Sequence, residues 1–283
     1  MSEFVAALRE HSFLQYAVGA GLLCSVACGI VGSYVVTRRI TYIAGSIAHC
    51  VLGGIGAARY VQVVHGWQHL TPFVGAIGAS IVSAVIIGIV SLKARQREDT
   101  VIGALWAIGM AIGVMFIAAT PGYNEDLMSY LFGNILMVSR QDLITVAFLD
   151  AVVIGISAML YNEFLAICFD EEFAQVRGIQ VAVYYLVLLC MTAITVVLLA
   201  TMVGVLMVIA LLTLPVAIAG VFARTLKAVM LLSVVLCSLF TTAGIGLSYT
   251  TDLPAGATII VIAGAAYIAT IAIRALLCRS VQR

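Results

Sequence analysis

The chain has 283 residues, 64% of them hydrophobic and only 10% charged, with a net charge of +1 at pH 7. A soluble domain averages about 25% charged residues, so the composition excludes a soluble globular protein and makes lipid the solvent. A net charge this close to zero also excludes a basic surface for nucleic acid.

A membrane span needs about 20 apolar residues. On that ruler the runs predict eight or nine helices, at 13–36, 45–64, 72–92, 100–120, 142–162, 180–199, 201–222, 228–248 and 256–277. The fold class expected is all-α, a polytopic membrane helical bundle, with residues 1–283 as one transmembrane domain. The first run is longer than the roughly 7–15 residues of a cleaved signal core, so it reads as a retained span. It carries Cys24 and Cys28 one turn apart. None of the seven cysteines (24, 28, 50, 168, 190, 237, 278) sits in a CxxC pair, and they read as small hydrophobes.

After Arg38 and Arg39 the second run carries His49, with Cys50 beside it and Ser46 one turn before. A titratable imidazole in a membrane-length apolar run is costly to place, which makes it a functional candidate. Gly45, His49, Gly53 and Ala57 are spaced by four and share one helix face. Such a face admits a second backbone or a small ion. The alternative is a packing face whose histidine bonds a neighbouring carbonyl. Asp150, midway along 142–162, is the other buried ionisable candidate, facing either a wet path or a helix–helix contact.

Basic residues set the orientation. Arg38, Arg39, Lys93, Arg95, Arg97, Arg177, Arg224, Lys227, Arg274, Arg279 and Arg283 fall on one side with nine spans, the cytoplasm. Arg140 fits that scheme less well, at the outer end of its span. Outside lie HGWQHL, whose His65 and His69 reach one metal ion if the loop is helical, and TPGYNED, with Glu125 and Asp126. The shorter apolar piece between Glu125 and Ser139, with Tyr130 and Asn134, predicts a half-helix near the interface. The run 180–222 holds two spans with a turn expected near Thr201–Gly204.

The cytoplasmic stretch FDEEFAQVRGI, residues 169–179, predicts a short amphipathic helix. Phe169, Phe173 and Val176 share a face, Asp170, Glu171, Glu172 and Gln175 lie elsewhere, and Gly178 ends the helix before Ile179. An acidic helix is poorly suited to an anionic leaflet and well suited to docking on another protein. Only two lysines are present, Lys93 and Lys227, and neither follows a glycine, so no phosphate-binding GxxxxGK[ST] loop exists here. HExxH, GxSxG and paired CxxC motifs are absent too.

Four patches carry a resemblance to the integral membrane permeases of bacterial ABC importers for divalent metals. GSYVVTRRITYIAGSIAH (32–49) resembles the family's GxxVVxRRMxxxGDxLAH, and EDLMSYLFGNILMVSRQDL (125–143) its DLMxYLFGDLLxV…EDL. EEFAQVRGI (171–179) is similar to its ATPase-coupling helix, and MVGVLMVIALLTLPVAIA (202–219) to its VGALLxxxLLIIPAATA. The resemblance implies a multi-pass protein of the bacterial cytoplasmic membrane that is not itself an enzyme. It implies a cytoplasmic ATP-binding subunit that uses the ATP, an extracytoplasmic metal-binding protein, and a second permease copy or sister chain. It implies a transported divalent metal and no covalently bound cofactor. On that reading His49, Cys50, Ser46 and Asp150 lie along the metal path, His65 and His69 at the outer mouth, and Phe169, Glu171, Glu172, Phe173, Val176, Arg177 and Gly178 couple to the ATPase. Two family aspartates are replaced, by Gly45 and Asn134. The wording of the first two patches is most like the zinc branch, and imidazole beside a thiol suits zinc over manganese. Manganese or ferrous iron is the alternative within the class. A proton-coupled secondary transporter using Asp150 is the alternative outside it, and a membrane-embedded enzyme lacks any catalytic constellation.

Overall fold

In lipid a backbone amide or carbonyl without a partner is costly, so apolar runs close their hydrogen bonds internally as helices. The computed structural model describes residues 2–93, 98–121, 133 and 135–281. Among the described residues nine helices are long and apolar enough to cross a membrane, and no strand is present. A short helix α1 (Ser2–Glu10) precedes the spans α2 (Ser12–Thr37), α3 (Thr41–His65), α4 (Pro72–Lys93), α5 (Glu98–Ala119) and α6 (Arg140–Met159). Two short helices follow, α7 (Tyr161–Phe169) and α8 (Glu171–Val176). The last spans are α9 (Val181–Val203), α10 (Val205–Phe222), α11 (Leu226–Thr251) and α12 (Ala255–Val281). The loop with Glu125 and Asp126, most of the half-helix with Tyr130 and Asn134, and Arg95, Arg97 and Arg283 lie outside the described residues. Of that half-helix the described part is a single 3₁₀ turn, Ile135–Met137.

Several boundaries differ from the apolar ruler, three of them for an evident local reason. The α3 helix starts at Thr41, four residues early, because Arg38 and Ile40 bond back to the Tyr34 and Val35 carbonyls and reverse the chain at once. The α6 helix starts at Arg140 because Ser139 and Asp142 form a reciprocal capping box. It stops at Leu160, where α7 begins, and the sequence reading had run the span on to residue 162. The expected turn near 201–204 is one residue, Gly204, with φ 87° and ψ 150°. That region of the backbone map is essentially reserved for glycine.

Helix α2 is the centre, packed on α6, α10 and α11. Its inner face is built of small residues, so three helices can approach it. Ser25 and Ser33 donate back to the Gly21 and Gly29 carbonyls at 2.6 Å, which satisfies their hydroxyls without a partner from another helix. Cys24 and Cys28 are fully buried there, as the packing reading expected. A second group, α3 with α4 and α5, joins through α9, whose Tyr185, Leu189 and Ala193 meet Ile43 and Ile47 of α3. The α3–α5 contact is glycine against glycine, since a β-carbon added at Gly53 would stand 2.8 Å from the Gly109 carbonyl oxygen. Close backbone approach of this kind is how membrane helices associate without a hydrophobic driving force.

Candidate functional site

The three α3 candidates line one seam, and the seam faces α5. Ser46 donates its hydroxyl to the Ile102 carbonyl at 3.0 Å, and Cys50 its thiol to the Leu105 carbonyl at 3.2 Å. Between them the His49 ring lies on the Trp106 indole, centroids 4.5 Å apart and planes 15° from parallel. His49 is only 7% exposed, and no hydrogen bond to it is seen among the described residues. Stacking covers a ring face and leaves the edge, where the two nitrogens are, for a ligand. The thiol and the hydroxyl each give their one hydrogen to a backbone carbonyl, and the imidazole is the group of the three that makes no hydrogen bond among the described residues.

Asp150 is 5% exposed on α6, against α2, and both carboxylate oxygens are without a hydrogen-bond partner among the described residues. His65 is the last residue of α3, and Gly66 turns left-handed at φ 71° behind it. The helical register that would have brought His69 over His65 therefore ends before His69; His65 packs edge-on against Tyr60 instead. Among the described residues no three His, Cys, Asp or Glu side chains gather closely enough to hold an ion. The candidate path is sparse: one imidazole on its seam, and one carboxyl in a different seam.

At the end assigned to the cytoplasm, α7 and α8 stand below the bundle. Asp170 caps α8 by accepting from the Phe173 amide at 2.9 Å. Gly178, at φ 77°, lets the chain turn up into α9. Phe169, Phe173 and Val176 are 69%, 53% and 87% exposed, so the apolar face is uncovered in this chain. The opposite side is fastened by Arg38. Its guanidinium donates to the Ile167 carbonyl of α7 and to the Glu171 carboxylate of α8, and lies 4.3 Å over the Tyr185 ring of α9. Glu171 thus reaches back to Arg38 while staying half exposed, and Glu172, Arg177 and Gly178 are exposed as well. Burial pushes the nearby Cys168 thiol up to about 12, so it stays protonated. A cleft of about 960 Å³ separates this unit from the α10–α11 turn, with Arg177, Arg224 and Lys227 on its walls.

Two residues of this arrangement had no assigned role from sequence. Trp106 was an apolar residue within a span, and Arg38 only a cytoplasmic charge. The signal for Arg38 was its place directly after a span and before His49; for Trp106 nothing local marked it, because its partner lies on another helix.

The ABC 3 transport family matches residues 10–274. A probable metal transport system membrane protein of Chlamydia pneumoniae is 40% identical over 257 residues, 90% of this chain and 87% of the relative. The manganese transport system membrane protein MntC of Halalkalibacterium halodurans is 33% identical over 261 residues, 92% of this chain and 87% of the relative. Among solved structures, PsaBC from Streptococcus pneumoniae in complex with Fab superposes with a TM-score of 0.83 at 26% identity, covering 95% of this chain and 94% of that one. The resemblance drawn from the four patches is borne out at the level of family, and with nine apolar helices beneath it this multi-pass membrane chain belongs to the ABC 3 transport family.

Proposed function

We propose that this chain is the transmembrane subunit of an ABC importer that carries a divalent transition metal inward, with ATP hydrolysed by a separate cytoplasmic subunit. The observation that carries the reading is the α7–α8 unit: an exposed apolar face toward the cytoplasm, fastened on its other side to α2 and α9 through Arg38. Such a helix suits a groove on a partner, and Arg38 ties it to α2 and α9, of which α9 packs on α3, the helix that carries His49. An extracytoplasmic metal-binding protein would deliver the ion, and a second permease chain would complete the path.

A bare divalent ion in hydrocarbon costs tens of kcal/mol, so the path must offer ligands or water. It must also release the ion, and a closed four-ligand site would trap it. One imidazole whose nitrogens make no hydrogen bond among the described residues answers both demands. Zinc is the first candidate for that nitrogen ligand. Manganese is the second reading, favoured by the MntC relative and by the engagement of the Cys50 thiol with a carbonyl, which weakens the argument from sulfur. His65, His69 and Asp150 are secondary candidates, at the mouth and within the bundle.

The test is radiozinc uptake into vesicles carrying the chain with its ATPase and binding-protein partners. Uptake is expected to require ATP, to fall to background in His49→Ala, and to be uncoupled from ongoing hydrolysis in Phe173→Ala. Competition by excess manganese decides between the two metals. Uptake indifferent to ATP would overturn the reading in favour of a proton-coupled carrier.

A further inference from the structure

Trp106 has no place in the proposed path, yet it makes the closest ring contact in the described structure, 4.5 Å to His49. Three observations make that contact a built one. The rings are 15° from parallel with centroids 4.5 Å apart, at the short end of the range for stacked aromatic pairs. Gly45, one turn before His49, leaves the space the indole fills: a β-carbon there would stand 3.6 Å from Cζ3 of Trp106, ordinary contact, with no room beyond it. The α5 helix is held in register by the hydroxyl and thiol on either side of His49, which donate to Ile102 and Leu105.

We propose that Trp106 is a positioning residue for His49: the indole fixes the plane of the imidazole so that its nitrogen edge meets the passing ion, and Gly45 is the space that admits it. The proposal rests on the import reading, since it gives His49 an ion to meet. Metal-bound imidazoles elsewhere are oriented by a hydrogen bond from the second nitrogen. Here the orienting contact is a ring face, which leaves both nitrogens available. A stacked indole also favours the imidazole once it carries a metal's positive charge, by the attraction of a cation to an aromatic face. Any side chain longer than alanine at position 45 would compete with the indole for one space, so the two positions act as a pair.

The chain has two tryptophans, so Trp67→Phe leaves Trp106 as the single emitter. In that background, reconstituted in vesicles, Zn²⁺ is expected to change Trp106 emission, and His49→Gln to abolish the change. In the uptake assay Trp106→Leu is expected to raise KM for zinc by roughly tenfold, the size of effect seen when a ligand's orienting partner is lost, with kcat nearly unchanged. Trp106→Phe should restore KM by restoring a flat ring. Gly45→Leu should reproduce Trp106→Leu by displacing the indole, while Gly45→Ala should behave as wild type. A Zn²⁺-dependent emission change that survives His49→Gln, or an unaltered KM in Trp106→Leu, would overturn the proposal. Failure of the import reading would look different, as ATP-independent or absent uptake in the wild type. In that case metal-free emission that is the same in His49→Gln as in the His49 chain rules out the stack itself.

Discussion

At Asp150 a carboxyl lies buried among α2 side chains with neither oxygen partnered among the described residues. A buried carboxyl that makes no hydrogen bond gives the fold no contact that depends on its charge. An amide of the same shape should then be tolerated, and Asp150→Asn is expected to leave the melting temperature of the solubilised chain unchanged or raised. Unaltered uptake in that variant would remove Asp150 from the path, while lost uptake with an intact fold would put the carboxyl on it. Arg38 is the opposite case, a largely buried cation that donates to a carbonyl and a carboxylate and lays its face on a ring. Removing it strips a carbonyl, a carboxylate and a ring of their shared partner, so Arg38→Ala is expected to destabilise by about 2–3 kcal/mol. Glu171 is 49% exposed and can turn to water, so Glu171→Ala should cost less than about 1 kcal/mol. Thermal unfolding of the two variants, run in parallel, checks the order.

At the scale of the element, α8 is six residues long and too short to hold itself as an isolated helix. Its order comes from the Asp170 cap, the glycine turn and the Arg38 fastening. A side chain added at Gly178 meets nothing within 4 Å, so Gly178→Ala isolates the cost of the left-handed backbone. That cost is expected at about 1–2 kcal/mol, seen as faster proteolysis at residues 170–180 with the spans intact. How much of such elements could be read beforehand depended on whether their cause was local. The nine spans, the break at Gly204 and the apolar face of α8 all follow from composition, a glycine or a helical period, and all were legible. The start of α6 was legible in principle, since Ser139 and Asp142 stand at capping distance; counting apolar residues passed over them. The division of 140–169 into α6 and α7 was not legible, because the bend at Leu160 is set by where α7 meets α2 and α9. The pairing of His65 with His69 failed on one residue, Gly66, whose left-handed turn ends the helix at the first histidine. The stack on His49 needed knowledge of which helix lies opposite, and the near-uniform apolar surface of membrane helices hides that.

At the scale of the molecule, the helices fall into the α2-centred group and the α3–α4–α5 group, bridged by α9. The most peripheral are α5 and α12, each with only 11% of its apolar window buried. The glycine contact should make the smaller group behave as one body: Gly53→Val would drive a side chain into the Gly109 carbonyl. Overpacking of this kind costs about 1–3 kcal/mol, and here it should also lower uptake by shifting Trp106 off His49, measurable as parallel losses of melting temperature and transport.

The Arg38 fastening and the cleft beside it divide the cytoplasmic end into one joint with several contacts and one with a single contact. The α7–α8 unit is tied to α2 and α9 by charge, hydrogen-bond and ring contacts, whereas across the cleft it meets the start of α11 through Lys227, 4.7 Å over the Tyr161 ring. On the import reading, a pull on α8 must break the carbonyl, carboxylate and ring contacts of Arg38 to bend the first joint, and one cation–ring contact to widen the second. Spin labels at Gln175 and Thr37 should hold one narrow distance through the whole nucleotide cycle, while labels at Gln175 and Arg224 should change separation with it. The stroke would then reach the membrane through the cytoplasmic ends of α2 and α9 together, so the linkage of the machine runs through a single guanidinium.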